Sequence, residues 1–317
     1  MPRSRYFKYQ AGAQLSVCGP DAQEFLQGQF SNDLSAMTVD QVVYGLWLNR
    51  KGKIVADSFV LRRGEDQFVL LSYFCGTAAI HERLDAYLIM EDAELEAASE
   101  GPRGISVWGE AAQARACAAL GIELPSEGAF CEGQGPVVAF WGRRGAEPVL
   151  EILFLEGKGG AEARIEDVDA CLAELGAEAL SEDELAALAI EGKTPQIGRG
   201  FGELDLPQEL GLEVDAVSFR KGCYLGQEVM ARLHAMGRVR KGLRIVGIED
   251  PTTFSQAELP VDLLDDAGKR QGQLRSVAYS KFGGVGLAVV SSGFDGACLR
   301  AGEVEVSLRR EGDASDD

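Results

Sequence analysis

Hydrophobic and polar residues alternate along the first part of the chain in blocks that predict strands and helices. Two apolar runs within residues 42–61 flank the turn residues 49–52, which is typical of a β-hairpin. Asp57 therefore falls inside the second strand of this hairpin. A third strand is predicted over residues 67–72, and amphipathic helical spacing follows over residues 77–88.

Two pairs of residues have the spacing of a capping box, which marks the start of a helix. Asp21 and Glu24 form the first pair, and Ser181 and Glu184 form the second. The second pair predicts a helix that ends close to Glu191.

The rest of the chain divides into three segments with different patterns of apolar and polar residues. Residues 101–154 alternate short apolar runs with one helical segment, which predicts a mixed α+β module. Residues 193–212 are rich in Gly and Pro and favour a loop that crosses between modules. From residue 243 onward, short apolar runs separated by Gly, Pro and Asp turns predict a small antiparallel β-barrel or sandwich.

These patterns predict an α+β protein of three parts. An N-terminal α+β region covers residues 1–100, and a middle α+β region over residues 101–242 is interwoven with it. The β-barrel follows at residues 243–310, and residues 311–317 form an acidic tail. A chain of 317 residues is long enough for two or three modules that share an interface.

The distribution of charge separates one short segment from the rest of the chain. The sequence has 31 Lys and Arg against 50 Asp and Glu, a net charge of −19, which opposes general binding of a nucleic-acid backbone. Residues 216–246 nevertheless contain seven cations and one anion. This basic segment is either a solvated face that balances acidic neighbours or a dock for a polyanionic ligand or partner.

Composition also bears on compartment and on metal chemistry. Seven cysteines, an odd number with no Cys-x-x-Cys pair, predict free thiols in a reducing compartment, so a cytoplasmic location is expected. No uncharged stretch is long enough to span a bilayer, so no membrane attachment is expected. The two histidines, His81 and His234, do not have the spacing of a metal site, and no metal is predicted.

Residues 220–232 carry the clearest chemical signal. From Gly226 onward the composition favours a helix, which places Cys223 just before a helix N-terminus and beside Arg220 and Lys221. A helix dipole and adjacent cations favour a thiolate, so Cys223 is a candidate reactive thiol. The alternative is a small buried residue that packs a turn.

The stretch Lys-Gly-Cys-Tyr-x-Gly-Gln-Glu at residues 221–228 resembles the signature of the YgfZ family of folate-binding proteins, which are built on the aminomethyltransferase (glycine-cleavage T-protein) scaffold. Residues 21–33, 44–53 and 277–288 resemble further blocks of the family in the expected order. The resemblance implies an aminomethyltransferase-like three-module ring around a central channel for tetrahydrofolate or a derivative. It also implies a part in making or maintaining iron–sulfur proteins, including those that modify tRNA.

Two positions depart from this pattern. The T-proteins have an Asp-Asp pair where this chain has Ala56-Asp57, so one carboxylate is absent and ordinary aminomethyl transfer is in doubt. The arginine usual shortly before the family's Ile/Leu-Glu element is Ala189 here.

The resemblance assigns roles to several polar residues. Glu191 matches the glutamate with which T-proteins grip the pterin, whose adjacent N–H donors one carboxylate can accept. Asp57 is a candidate catalytic group that stabilises a cationic folate intermediate or handles its proton. Asn32 and Asp33 are placed near the same pocket, although Asn-Asp is also a common turn pair.

The basic segment contributes the rest of the predicted site. Lys221, Arg232 and Arg240 are predicted to hold the carboxylate chain of the folate's glutamate tail. Tyr224 and Gln227, within the motif, complete the cofactor-binding set, and Cys223 joins Asp57 as a catalytic candidate.

Three functions follow from these observations. The first is a tetrahydrofolate-binding accessory protein for iron–sulfur cluster proteins, with those proteins or their assembly factors as partners. The second is a folate-dependent one-carbon transferase with Asp57 as base, which the missing carboxylate disfavours. The third is a scaffold module without chemistry. Direct tight binding of nucleic acid is not expected, because of the net charge.

Overall fold

The computed structural model describes residues 3–155, 161–237, 239–249, 253–254, 258–280 and 283–309. Arg238, one of the seven cations of the basic segment, and the predicted tail at residues 311–317 lie outside them. The strands are β1 (Arg5–Gln10), β2 (Ala13–Cys18), β3 (Val42–Leu48), β4 (Ile54–Gly64), β5 (Gln67–Ser72), β6 (Glu94–Ala97), β7 (Arg103–Trp108), β8 (Phe130–Glu132), β9 (Val137–Trp141), β10 (Val149–Phe154), β11 (Glu178–Ala179), β12 (Lys241–Ile248), β13 (Val261–Leu264), β14 (Arg270–Ser280), β15 (Gly283–Ser291), β16 (Cys298–Ala301) and β17 (Val304–Leu308). The helices are α1 (Ala22–Gln29), α2 (Thr77–Asp85), α3 (Glu110–Leu120), α4 (Ala161–Glu174), α5 (Glu182–Glu191), α6 (Glu213–Ala216) and α7 (Gln227–Met236), with a 3-10 turn at Pro207–Glu209.

The first sheet is built on the predicted hairpin. Strands β3 and β4 pair antiparallel with Leu46 opposite Asp57, and the sheet has the order β3-β4-β5-β2-β6. The Asn49 side chain accepts hydrogen bonds from the backbone N–H groups of Lys51 and Lys53, at 2.8 and 3.1 Å, and so fixes the turn. The hairpin prediction and the position of Asp57 within its second strand are confirmed.

The second sheet has the order β11-β1-β7-β10-β9-β8. Its first strand along the chain, β1, pairs antiparallel with β7 and parallel with β11. All six residues of β10 are buried, because helices α3 and α4 cover one face of the sheet and the first sheet covers the other. One of these six is Glu151, and a strand buried on both faces accepts a carboxylate only with partners.

The third unit is a closed antiparallel barrel with the order β12-β15-β14-β13-β16-β17. Its interior is lined by aliphatic side chains such as Val246, Leu274 and Ala288. Alternate residues of β15, such as Leu287 and Val289, point outward and pack into the main core with α5 and the first sheet. The predicted small antiparallel barrel is confirmed, and its first strand begins at Lys241.

The two capping-box predictions have different outcomes. At α5, Ser181 Oγ accepts from the Glu184 backbone N–H, and the Glu184 carboxylate accepts from the Ser181 backbone N–H, so this capping box is present. At α1, Asp21 makes no side-chain cap, and the capping-box prediction there is wrong. Asp21 Oδ2 instead accepts from the backbone N–H of Asp92 at 2.8 Å, a tertiary contact that the local spacing does not contain.

The predicted region boundaries at residues 100 and 242 stay a prediction, and the sheets do not follow them strictly. Strand β1 lies within the N-terminal region by sequence but belongs to the second sheet. Residues 212–230, from the middle region, pack against the core of the first sheet through Ala216, Tyr224 and Met230. The two α+β parts therefore share their strands and their cores.

Candidate functional site

A cleft opens where the two sheets, the end of α5 and the loop that follows α5 meet. The cavity is narrow, with a volume of about 10 Å³, and the empty space that includes the open mouth is about 350 Å³. The loop that follows α5 forms one wall. The lining residues are Tyr44, Asp57, Tyr73, Phe74, Arg143, Arg144, Ala189, Thr194, Pro195, Gln196 and Ile197.

Asp57 lines the cleft from β4 and is almost wholly buried, with 6% of its surface exposed. Its carboxylate accepts hydrogen bonds from Ser72 Oγ at 2.7 Å, Tyr44 OH at 2.9 Å and Cys75 Sγ at 3.4 Å. Burial raises the pKa of Asp57, and these donors oppose the rise because they favour the ionised form. Beside it, burial and the Asp57 carboxylate raise the pKa of the Cys75 thiol to about 12, so Cys75 is a donor and not a nucleophile.

A second polar group borders the cleft and is called the Arg144 cluster here. It consists of Tyr9, Tyr73, Ser106, Arg144 and Glu151, of which Tyr73 and Arg144 line the cleft. Glu151 Oε2 accepts from Tyr9 OH at 2.5 Å and Ser106 Oγ at 2.8 Å. Glu151 Oε1 accepts from Tyr73 OH at 2.9 Å and from Arg144 Nε at 3.1 Å. The carboxylate is fully buried and has four donors, which satisfies both of its oxygens.

Arg144 is held in place by charge and by rings. Burial alone would lower the pKa of Arg144, but the adjacent Glu151 carboxylate holds it above its ordinary value, so the guanidinium stays charged. Its Cζ lies 3.6 Å from the ring centroid of Tyr73 and 4.1 Å from that of Tyr9. Its Nη2 is buried without a hydrogen-bond partner, although the side chain lines the cleft.

Glu191, the residue matched to the pterin grip, is the last residue of α5 and is half-buried. Its Oε1 is buried and has no hydrogen-bond partner. Two residues earlier, Ala189 lines the cleft, but Glu191 itself is not among the lining residues. An unpartnered buried carboxylate oxygen is an acceptor available to a ligand.

Lys221 lies apart from any open surface, with 8% of its area exposed. Its Nζ donates to the backbone carbonyls of Gln27, Phe30 and Asn32 at 2.7, 2.7 and 2.8 Å. An ammonium has three donors, and all three are used here, so none is left for a ligand carboxylate. This corrects the predicted role of Lys221 as a cation at a channel mouth. Burial lowers the pKa of Lys221 to about 8.

Asn32 and Asp33 serve the same turn that Lys221 binds. Asn32 Nδ2 donates to the carbonyls of Tyr44 at 2.8 Å and Asp215 at 2.9 Å. Asp33 Oδ1 accepts from Ser35 Oγ at 2.6 Å and from its backbone N–H at 3.0 Å, and these bonds lower the pKa of Asp33. Both side chains hold backbone in place, which is the turn role that the sequence left open.

The other motif residues divide between core and surface. Tyr224 is buried, its hydroxyl has no hydrogen-bond partner, and burial raises its pKa to about 12. Gln227 is half-buried and donates to the Lys221 carbonyl at 3.4 Å. Cys223 is exposed and precedes α7, as predicted, and Arg232 is exposed on α7.

Arg240 directly precedes β12, the first strand of the barrel. It lines an open basic groove with Lys241, Arg270 and Arg275. Two of these cations are paired, Arg270 with Asp262 at 3.0 Å and Arg275 with Asp205 at 3.3 Å. The predicted site residues therefore occupy three places: the cleft, the cluster around Lys221, and the surface.

The cluster around Lys221 is nevertheless connected to the cleft. Lys221 binds the Asn32 carbonyl, Asn32 binds the Tyr44 carbonyl, and the Tyr44 hydroxyl binds Asp57. Arg143 packs over the Tyr44 ring, with its Cζ 4.4 Å from the centroid, and pairs with Asp215 at 2.8 Å. The motif therefore supports one wall of the cleft through backbone contacts.

Sequence reasoning missed Arg143, Arg144, Tyr73 and Glu151. Two signals were present. Glu151 interrupts an otherwise apolar strand, and a carboxylate in such a strand needs a buried partner. Arg143 and Arg144 stand together between Gly142 and Gly145, in the connection between two buried strands.

Within the described ranges, no three His, Cys, Asp or Glu side chains are grouped closely enough to hold a metal ion. No helix of the described chain is both long enough and apolar enough to cross a membrane.

Comparison with known proteins gives concordant results. Residues 6–124 match the family model of the GCVT N-terminal domain. The tRNA-modifying protein YgfZ of Edwardsiella ictaluri is 29% identical over 286 residues, which cover 88% of this chain and 81% of that protein. The mitochondrial iron-sulfur cluster assembly factor IBA57 of Homo sapiens is 28% identical over 317 residues, covering 90% of this chain and 77% of that protein.

Among solved structures, the glycine cleavage system aminomethyltransferase T of Bartonella henselae is similar over 98% of this chain and 86% of its own. The TM-score is 0.79 at 17% sequence identity, so the likeness concerns the fold. The chain therefore has the predicted aminomethyltransferase-like α+β fold, and its resemblance to the YgfZ type within the aminomethyltransferase superfamily is confirmed.

Proposed function

We propose that this protein binds tetrahydrofolate or a derivative and serves as an accessory protein in the assembly or maintenance of iron–sulfur cluster proteins, including tRNA-modifying ones. The observation that carries the proposal is the buried carboxylate oxygen of Glu191, which has no partner at the end of α5, next to a cleft that Ala189 and Asp57 line. A reduced pterin has the complementary group, an edge of adjacent N–H donors.

The residues of this region fit such a ligand. Glu191 offers an acceptor, Asp57 offers a carboxylate in the cavity wall, and Phe74 offers ring surface for the flat head group. When bound, the folate would supply a carrier for one-carbon groups. The chain's own residues bind and orient it: Glu191 accepts the pterin donors, and the loop at residues 194–197 shields the cavity from water on one side.

The names of the relatives support the rest of the proposal. One relative is called a tRNA-modifying protein and another an iron-sulfur cluster assembly factor, each similar over most of this chain. We assign iron–sulfur proteins or their assembly factors as partners on that basis. Tight direct binding of nucleic acid is not part of the proposal, because a net charge of −19 repels a phosphate backbone.

We place the protein in the cytoplasm. All seven cysteines are free thiols in the structure. Unpaired thiols in this number are typical of a reducing compartment.

The direct test is calorimetric titration of the purified protein with tetrahydrofolate. Glu191→Gln replaces one acceptor by a donor that faces the pterin donors, so the affinity is expected to fall about tenfold or more. Glu174→Gln, an exposed change on α4, is the matched control and is expected to bind like the wild type. Wild-type protein that does not bind any reduced folate would refute the proposal.

A test of Cys223 distinguishes two forms of the proposed function. In one the protein uses a reactive thiol, and in the other it is a scaffold without chemistry. Cys223 is exposed, so Cys223→Ser is expected to leave folding unchanged. Loss of iron–sulfur enzyme activity in cells that carry only this variant, with normal protein level and melting temperature, supports a reactive thiol. Full cellular activity would favour the scaffold.

One-carbon transfer is a second candidate, favoured by one observation. Asp57 lines the cleft with a raised pKa, as a group that takes up a proton requires. Turnover of a methylene or aminomethyl donor by the purified protein, abolished in Asp57→Asn, would establish it. Folate binding without turnover would leave the accessory role.

A further inference from the structure

Arg144 combines a paired charge with an unused donor. Its Nε bonds to Glu151 Oε1, and the rings of Tyr9 and Tyr73 lie against its guanidinium. Its Nη2 is buried and makes no hydrogen bond. Such a donor is unfavourable in a folded protein, so its presence in a cavity wall points to a ligand that satisfies it.

The backbone of the segment that carries Arg144 is in close contact with the end of α5 at two points. A Cβ atom at Gly145 would lie 2.8 Å from the Leu188 carbonyl oxygen, and one at Gly192 would lie 2.5 Å from the Ala146 nitrogen. The segment that carries Arg144 therefore packs directly on the end of α5. Arg144 and Ala189 line the same cleft, and position 189 itself has only a methyl group there.

The charges around Arg144 indicate which kind of ligand atom Nη2 can bind. Glu151 already neutralises the guanidinium, and the buried tyrosine hydroxyls stay protonated because burial and Glu151 raise the pKa of Tyr9 and Tyr73. The cluster is therefore neutral as a whole. A neutral acceptor such as a carbonyl oxygen suits Nη2 better than a second carboxylate, which would leave a net negative charge in the wall.

We propose that Arg144 Nη2 donates a hydrogen bond to the ring carbonyl oxygen of the pterin head group, so that Arg144 is a specificity-determining residue of the cleft. In this arrangement Glu191 takes up the N–H donors of the pterin and Arg144 takes up the adjacent acceptor. The cleft then selects a ligand edge with donors followed by an acceptor. This inference rests on the proposed folate binding and adds the chemical group that the site recognises.

The test compares two ligands that differ at this end of the pterin ring. Folic acid has a ring carbonyl and an adjacent ring N–H, where aminopterin has an amino group and a ring nitrogen without hydrogen. The wild-type preference therefore reports the contacts of Glu191 and Arg144 together, and its change in the Arg144 variants reports Arg144. Titrations of both, and of tetrahydrofolate, are made with the wild type and with Arg144→Lys, which keeps a positive charge beside Glu151 but lacks the Nη2 donor. The variant is expected to bind tetrahydrofolate and folic acid about tenfold or more weakly and aminopterin nearly as the wild type does. The preference for the carbonyl ligand is therefore reduced by about tenfold or more.

A separate variant tests whether a loss of stability alone changes the ligand preference. Tyr9→Phe removes one donor to Glu151 without changing any residue of the cleft lining, and it is expected to lower stability while keeping the wild-type ligand preference. If Arg144→Lys does not fold, the double variant Arg144→Gln with Glu151→Gln removes both charges together and is titrated in its place.

The outcomes separate this inference from the function on which it rests. Wild-type protein that binds no folate refutes folate binding itself. Wild-type binding, with an unchanged preference for folic acid over aminopterin in the Arg144 variants, overturns only the role of Arg144. A reduction of that preference in these variants, but not in Tyr9→Phe, supports it.

Discussion

Two buried cations in this protein have opposite relations to their surroundings. Lys221, in the most recognisable motif of the sequence, gives all three of its donors to backbone carbonyls. Arg144, in a stretch without a motif, keeps one buried donor free in the wall of a cleft. The comparison shows that the recognisable motif builds the wall of the site, while a less conspicuous segment supplies a group that can bind.

The physical difference lies in the chemistry of the two side chains. The Lys221 ammonium is a compact group whose three hydrogens fit three carbonyls of one turn. The Arg144 guanidinium is a planar group that pairs with Glu151 through Nε and leaves its buried Nη2 without a partner. The first arrangement is complete without a ligand, and the second is not.

The largest effect is expected when the Arg144 cluster is broken. Glu151→Gln leaves Arg144 as an unpaired buried charge, so the free energy of unfolding is expected to fall by about 3–5 kcal/mol. Urea denaturation monitored by circular dichroism measures this. Adding Arg144→Gln to the same protein removes the uncompensated charge and is expected to restore part of the loss. A double variant less stable than Glu151→Gln would contradict the paired-charge account.

Lys221→Ala sharpens the contrast between the two clusters. It removes the donors of three buried carbonyls, and a loss of about 3 kcal/mol of stability is expected. Arg220→Ala, an exposed neighbour, serves as the control and is expected to change stability by less than about 0.5 kcal/mol. Folate affinity of the folded Lys221→Ala protein is expected to stay close to that of the wild type. A strong loss of affinity without a loss of stability would show that Lys221 contributes to ligand binding.

Ser181→Ala tests whether the N-terminal cap of α5 is needed to position Glu191 at the C-terminal end of the helix. The variant removes the hydroxyl that accepts from the Glu184 backbone N–H, at a cost of about 1 kcal/mol in thermal or urea unfolding. Folate affinity is expected to remain, because the last turn of α5 is held by its contacts with residues 145–146. Weaker binding in the folded variant would show that the cap, and not this packing, positions Glu191.

The smallest effect concerns Asp57 and pH. Burial raises the pKa of Asp57 in the folded state, so the folded protein keeps this proton at pH values where the unfolded chain has lost it. The contribution of this group to stability is therefore present at low pH and is lost as the pH rises through the folded-state pKa. Asp57→Asn does not titrate, so its stability relative to the wild type is expected to increase as the pH rises from about 4. Urea unfolding at several pH values measures the trend, and a relative decrease would show that Ser72 and Tyr44 hold Asp57 ionised.

Local patterns predicted local structure well. The hairpin with Asp57 in its second strand, the capped start of α5, the helix after Gly226 and the closed barrel all depend on contacts within a few residues or on strand periodicity. The prediction failed at Asp21 because its side chain binds the backbone of Asp92, which is remote in sequence. The spacing of two residues contains no information about such a competitor.

The candidate site was only partly predictable for the same reason. Asp57 in the cleft and an available carboxylate on Glu191 could be predicted from resemblance. The Arg144 cluster could not, because it brings together Tyr9 on β1, Glu151 on β10 and Tyr73 directly after β5, which are remote from one another in sequence. The sequence indicated that Glu151 needed partners but not which ones.

The membership of β1 in the second sheet has a consequence for the growing chain on the ribosome. Residues 5–10 are made early, but their antiparallel partner is at residues 103–108 and their parallel partner at residues 178–179. At about 5–20 residues per second, the first partner becomes available roughly 5–20 s after β1 itself. During that interval β1 is an unpaired strand, and its Tyr6, which is buried in the folded protein, is exposed. A slower ribosome over residues 11–102 therefore prolongs the period in which the nascent protein is prone to aggregate.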